Sequence, residues 1–233
     1  MTEVAIVADA PGVSTPLTAV SAVDPQALYR AMFADVLNTC ERSGADVLVN
    51  VGPPDADGAM AAMEAVVAAE ALEPDAVRIE PQVGADHGAR VHATVDHLLA
   101  TSEHRTVGVV YPELPLLRRA TIDGAAMRLR SAEVVIAPDT TGMVSLFGVA
   151  EALELQTMTA SAPVAVLAEL AAAAGHAVAF LEMTPRVRTD AALEVTRRLL
   201  RARAAAGGSS RWPTVTPSAS MRCSISSTPV TPP

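Results

Sequence analysis

Residues 107–117 read VGVVYPELPLL, an apolar run from Val107 to Tyr111 delivered into a Pro-Glu-Leu-Pro turn. A short, continuously apolar run that ends on turn residues is the pattern of a strand covered on both faces, as in a parallel sheet. Open sheets of that kind bind ligands beyond the carboxyl ends of their strands, so the residues at this turn decide whether the strand carries chemistry. Val110 and Tyr111 close the run, and neither binds a metal nor transfers a proton at neutral pH. The first carboxylate after them belongs to Glu113.

Working outward, the flanks alternate helix and strand. Asp86 caps a helix running to about Ser102, and a helix over roughly 116–131 follows the turn. EVAIVA (3–8) is a strand leading into Asp-Ala-Pro-Gly, and ADVLVNVG (45–52) is a second. Between them, Asp24 at the N-cap, Pro25 at the first helical position and Gly44 just past the end bracket a helix. The stretch DGAMAAMEAVVAAEALEPD (57–75) holds an Ala-rich helix stopped before Pro74, and AVRIEPQVG (76–84) is a third strand. AEVVIAP (132–138) is a fifth, and MVSLFGV (143–149) a further short one. Helices are expected around 150–156 and 161–174, AVAFLEM (177–183) is the last strand, and a helix over 189–206 closes the domain.

This alternation predicts one α/β domain over residues 1–206, with a mainly parallel central sheet and helices on both faces. Its ligand-binding loops follow Ala8, Val51, Tyr111, Ala137 and Met183. From Ser209 the composition shifts, with 16 of the last 25 residues Ser, Thr or Pro and none acidic. Residues 207–233 are therefore expected to be a tail, either disordered or a frameshift artefact.

Composition narrows the function classes. Half of the 233 residues are hydrophobic but only 3% aromatic, so Ala, Val and Leu must fill the core. No apolar run approaches the roughly 18–20 residues of a membrane span. The N-terminal stretch MTEVAIVADAPG lacks a basic region and a cleavage site, and a soluble, cytoplasmic protein is expected. Cys40 and Cys223 are too few and too far apart for a disulfide framework or a cysteine metal site, and Cys40 reads as a core residue. Up to Glu194 the chain carries 11 basic and 26 acidic residues, a balance of −15 that repels nucleic acid. All 17 basic residues are Arg, so a phosphate clamp must use Arg, backbone N–H groups or a metal. His87, His92 and His97 recur every five residues, about 140° apart around a helix, and share no metal face. A Walker loop is impossible without Lys, and no Gly-x-Ser-x-Gly elbow occurs.

Five segments in order carry a resemblance: APGVSTPL (10–17), QVGADHGARV (82–91), VGVVYPELP (107–115), VVIAPDTTGMVSLFGV (134–149) and PRVRTDAAL (185–193). Together they resemble a family of glycosyltransferase-A-fold proteins of bacteria and archaea grouped with nucleotide-diphospho-sugar transferases. Phospholactate guanylyltransferases are a close cousin. The resemblance covers about residues 4–195. It implies a glycosyltransferase-A fold, a nucleotide or nucleotide-sugar partner, and magnesium or manganese as cofactor.

The departures bear on the chemistry. The family's first loop carries Lys-Thr-Arg-Leu facing nucleotide phosphates; here Ser14-Thr15-Pro16-Leu17 offers hydroxyls and N–H groups to an anion, or is a surface turn. The family's Gly-Thr-Asp-Ser-Pro-Asp-Leu-Pro puts Val110 where its metal-binding Asp belongs. The guanylyltransferase Ala-Asp-Leu-Pro-Leu-Leu instead aligns Glu113 with the acid, as a metal ligand or as a helix-start acid. The family's Glu-Asp-Gly-Gly becomes Thr140-Thr141-Gly142-Met143, leaving Asp139 as ligand, base or turn-former. Its Asp-Val-Asp-Thr-Pro becomes Arg186-Val187-Arg188-Thr189-Asp190, which suits phosphate rather than a cation, or marks a site drifting without constraint. Asp86-His87-Gly88-Ala89-Arg90 matches Asp-Leu-Gly-Glu-Arg, with Asp86 as cap and Arg90 reaching a ligand or a neighbouring carboxylate. With these departures, the resemblance implies a glycosyltransferase-like nucleotide-binding protein of weak, altered or lost transferase activity. The alternatives are a non-catalytic binding or regulatory module that keeps only the fold, and a guanylyltransferase acting on a small phospho-acid.

Overall fold

The apolar start of the stretch 107–117 forms an inner strand. The computed structural model describes residues 3–205 apart from 54, 102–105 and 160, and the tail expected over 207–233 lies outside the described residues. Within it, Val107–Val110 (β4) is buried at every position between two hydrogen-bonded neighbours. One neighbour is Glu3–Asp9 (β1), parallel, with Ile6 opposite Val110. The other is Val144–Val149 (β6), antiparallel, with Phe147 opposite Val109.

Asp46–Gly52 (β2) and Arg78–Pro81 (β3) extend the sheet beyond β1, and Val134–Pro138 (β5) and Val178–Phe180 (β7) extend it beyond β6. The order is β3-β2-β1-β4-β6-β5-β7, parallel except at β6, as the alternating pattern predicts. Successive strand side chains point to opposite faces, which divides the core in two. Val4, Ile6 and Ala8 pack under Pro25–Ser43 (α1), Ala59–Glu70 (α2) and Arg119–Arg128 (α4). Ala5 and Val7 pack under His87–Thr101 (α3) and Val164–Ala173 (α5).

Local chemistry accounts for the element ends. The Asp24 carboxylate accepts from the Gln26 N–H at 3.0 Å, Pro25 starts α1 with φ pre-set, and Gly44 ends it at φ 74°. Inside α1, Phe33, Val36, Leu37 and Cys40 make the apolar stripe facing the sheet, each large side chain contributing about 1.5–3 kcal/mol by burial. The helix after the turn is shorter than expected, because residues 114–117 close a turn (Leu117 N–H to Leu114 C=O, 2.9 Å) before Arg119 begins α4.

The helix expected around 150–156 does not form. Leu153 and Leu155 are buried while Glu154 and Gln156 are exposed, an alternation that belongs to extended chain. The chain there crosses α3 at Gly88, where a Cβ would lie 2.6 Å from the Met158 carbonyl oxygen and closer still to that of Gln156. Burial of alternate leucines outweighs the helix propensity of Ala, Glu and Leu. No helix among the described residues is long and apolar enough to cross a membrane.

Candidate functional site

The crevice lies where the strand order turns. From β1 the chain steps outward to β2 and β3, then returns to the other side of β1 as β4, so the carboxyl ends of β1 and β4 border a gap. Asp9 ends β1, and Tyr111, Pro112 and Glu113 follow β4. After β7 the chain runs on along β5, with Leu181 N–H on the Ile136 carbonyl and Thr184 N–H on that of Pro138. Val187 N–H then donates to the Glu113 carbonyl at 2.8 Å, which seats Arg186 and Arg188 against the Pro-Glu-Leu-Pro turn. From the other side, the Thr94 hydroxyl donates to Asn50 Oδ1 at 2.7 Å and docks α3 on β2, holding His87 and Arg90 over the crevice. The result is a cavity of about 220 Å³ lined by Asp9, Tyr29, His87, Arg90, Tyr111, Glu113, Arg186 and Arg188 among others.

At its floor is a buried ion pair. Glu113 is 2% and Arg186 5% exposed. Arg186 Nη2 lies 3.3 and 3.4 Å from the two Glu113 oxygens, its Nη1 donates to the Val144 carbonyl at 2.9 Å, and its guanidinium sits 4.3 Å above the Tyr111 ring centre. Val144 is available because β6, being antiparallel, begins at the edge where the others end. Arg188 Nε lies 3.7 Å from Glu113 Oε1 and its Nη1 donates to the Ser161 hydroxyl at 2.6 Å. His87 Nε2 and the Tyr111 hydroxyl are 3.2 Å apart with their rings stacked.

Burial, reinforced by the Arg90 and Arg186 charges, lowers the His87 pKa to about 4, so the imidazole is neutral at pH 7. Burial also lifts Tyr111 to about 12 against the pull of Arg186. Asp9 is raised by burial and then by the Glu113 charge, while the Ser14 hydroxyl, Arg90 and Arg188 oppose the rise. The cavity thus sets three permanent guanidiniums against two carboxylates, with a neutral imidazole and two phenols on its walls.

No protein-family model and no curated protein matches the sequence. Solved structures do. A protein described as a nucleotide-diphospho-sugar transferase from Desulfovibrio desulfuricans G20 superposes with a TM-score of 0.68 at 20% identity, over 88% of this chain and 95% of that one. The 4-diphosphocytidyl-2C-methyl-D-erythritol synthase of Anaerococcus prevotii DSM 20548 gives 0.55 at 10% identity, over 86% and 98%. Rv0371c of Mycobacterium tuberculosis H37Rv, in a complex with manganese, gives 0.51 at 17% identity, over 86% and 98%. The chain has the nucleotide-diphospho-sugar transferase fold.

Within this nucleotide-diphospho-sugar transferase fold the sequence-derived candidates separate. Glu113, Arg90, Arg186 and Arg188 meet in one cavity. Asp139 lines an adjoining cavity of about 210 Å³, which Arg186 and Arg188 also border. There Asp139 Oδ1 accepts from the Thr141 N–H and hydroxyl, both at 2.7 Å, and from the Met143 N–H at 3.0 Å, closing the β5–β6 turn. Asp86 caps α3 through the Ala89 N–H at 2.9 Å, and Thr15 Oγ1 accepts from the Leu17 N–H at 3.2 Å; both side chains serve their own loops. Ser14 lies beside Asp9. Sequence reasoning missed Asp9, Tyr29 and the His87–Tyr111 pair. Asp9 was findable as the acid closing the first strand, whereas Tyr29 and the stack depend on long-range approach.

The magnesium or manganese implied by the resemblance does not suit this donor set. The carboxylate expected to serve as metal ligand, Glu113, is already shared by two guanidiniums. Among the described residues no group of three His, Cys, Asp or Glu could hold a metal ion. A divalent cation beside Glu113 would also face Arg90 and Arg188 across the same cavity, an arrangement of like charges.

Proposed function

We propose that the chain is a glycosyltransferase-like protein that binds a nucleotide or nucleotide-sugar in the crevice between β1 and β4, with altered transferase activity. The observation that carries this reading is the meeting of Arg90 and Arg188 at the carboxyl ends of β1 and β4, beside a Glu113 that Arg186 neutralises. Guanidiniums recognise phosphate oxygens bidentately. The second cavity, across the Arg186–Arg188 pair, provides room for an acceptor beside a donor phosphate. In that arrangement Asp139 accepts a hydrogen bond from an acceptor hydroxyl, and Glu113 acts by positioning the arginines.

Melting curves of the full chain with GDP, UDP and CDP and their sugars test the reading. A ligand at a hundred times its Kd adds about 2.7 kcal/mol, or roughly 5–10 °C for a domain of this size. No shift with any of these nucleotides would sink the proposal and favour a module that keeps only the fold.

A further inference from the structure

We propose that Arg186 does for Glu113 what a bound divalent cation would do, neutralising it from a fixed seat, so that the site binds a diphosphate without metal, on Arg90 and Arg188. The inference rests on the phosphate-binding reading above and specifies how its charge is met.

Three ligand types that hold a cation surround the Arg186 guanidinium: both oxygens of the Glu113 carboxylate, the carbonyl of Val144 and the face of Tyr111. All three are buried, with Tyr111 at 4% and Glu113 at 2% exposure. A guanidinium in this seat is fixed in place by the fold, carries its charge at every working pH, and cannot be removed by a chelator. Its Nη1 is directed at the Val144 carbonyl and its Nη2 at Glu113, so these donors hold and neutralise the carboxylate instead of bridging to a ligand.

Arg90 and Arg188 line the same cavity, together with Asp9. Arg188 keeps 29% of its side chain exposed, and its contact to Glu113 is the long one at 3.7 Å. Arg90 reaches the cavity from α3, and its Nε is buried with no hydrogen-bond partner. Two guanidiniums lining one cavity of about 220 Å³ suit a diphosphate group. That group could belong to a nucleotide or stand alone, since the recognised chemistry is the same.

Calorimetric titration of the full chain with UDP, GDP, CDP and inorganic pyrophosphate, in EDTA and then in excess magnesium or manganese, separates the possibilities. The expected result is equal affinity with and without metal, loss of about tenfold or more on Arg188→Ala, and partial recovery in Arg188→Lys. Nucleotide binding that needs metal overturns the inference and leaves the nucleotide reading standing. Pyrophosphate binding in EDTA without any nucleotide binding does the reverse. No binding of any probe overturns both. Manganese EPR supplies an independent readout. The wild-type chain should leave the free Mn²⁺ signal unchanged, and a signal loss that Glu113→Gln abolishes would overturn the inference even if Arg186 variants fail to fold.

Discussion

Glu113 and Arg186 are separated by 73 residues and depend on each other. Removing one partner of a buried pair strands the other charge, which costs about 3–5 kcal/mol, whereas replacing both with apolar groups of similar volume is near neutral. Glu113→Ala should therefore lower the unfolding free energy by about that amount in urea titration, and Glu113→Leu combined with Arg186→Met should recover most of it. An additive double variant would mean the pair is not coupled. His87 makes a second prediction. Its folded pKa of about 4 lies below the ordinary value near 6.5, so between those values the unfolded chain binds a proton that the folded chain refuses. Stability is thus full above pH 6.5 and falls as pH drops toward 4, by on the order of 3 kcal/mol. Asp9, raised in the fold, acts with the opposite sign, gaining stability as pH falls through its folded pKa. Comparing denaturation of the wild type with His87→Asn isolates the histidine, and the variant should show the flatter profile between pH 4 and 6.5.

At the scale of the element, α3 is set at its N-terminal end. Asp86 caps it, and Gly88 lets the extended segment 150–158 pass across its first turn. Gly88→Ala puts a methyl into the Gln156 and Met158 carbonyls and should destabilise by more than about 2 kcal/mol, read as a fall in melting temperature. Because α3 carries Arg90, the same change should weaken ligand binding. A well-folded, unperturbed Gly88→Ala protein would show that the 150–158 segment has room to move. Elements whose signals lie within a few residues were legible in advance. Asp24, Pro25 and Gly44 bracket α1 at 25–43, and the apolar runs locate every strand to within a few residues. The segment 150–156 was misread because Ala, Glu and Leu favour a helix locally, while the decision lay with Gly88, more than sixty residues earlier, and with two buried leucines.

Across the whole molecule, acidic charge dominates up to Glu194, and its self-repulsion opposes compaction. Raising ionic strength from low to physiological should screen it and raise the melting temperature by a few degrees. A fall instead would mean that exposed pairs such as Arg30–Glu70 and Arg118–Glu182 outweigh the net field. Against this acidic background the crevice concentrates three arginines from α3 and the chain after β7, the two parts that border the carboxyl ends of β1 and β4.

The sequence by itself determined the α/β alternation, the helix caps, the inner position of 107–110 and the absence of lysine, because each is set by side-chain type or by periodicity over a few neighbours. It also marked Glu113, Arg90, Arg186 and Arg188 singly, as departures from or matches to a known pattern. Only the tertiary structure decided that these four share one cavity, that Asp9 joins them, and that Asp139 spends one oxygen on its own turn. Ion pairing falls off within a few ångströms. Which carboxylate meets which guanidinium therefore depends on the strand order, which brings residue 186 back beside residue 113.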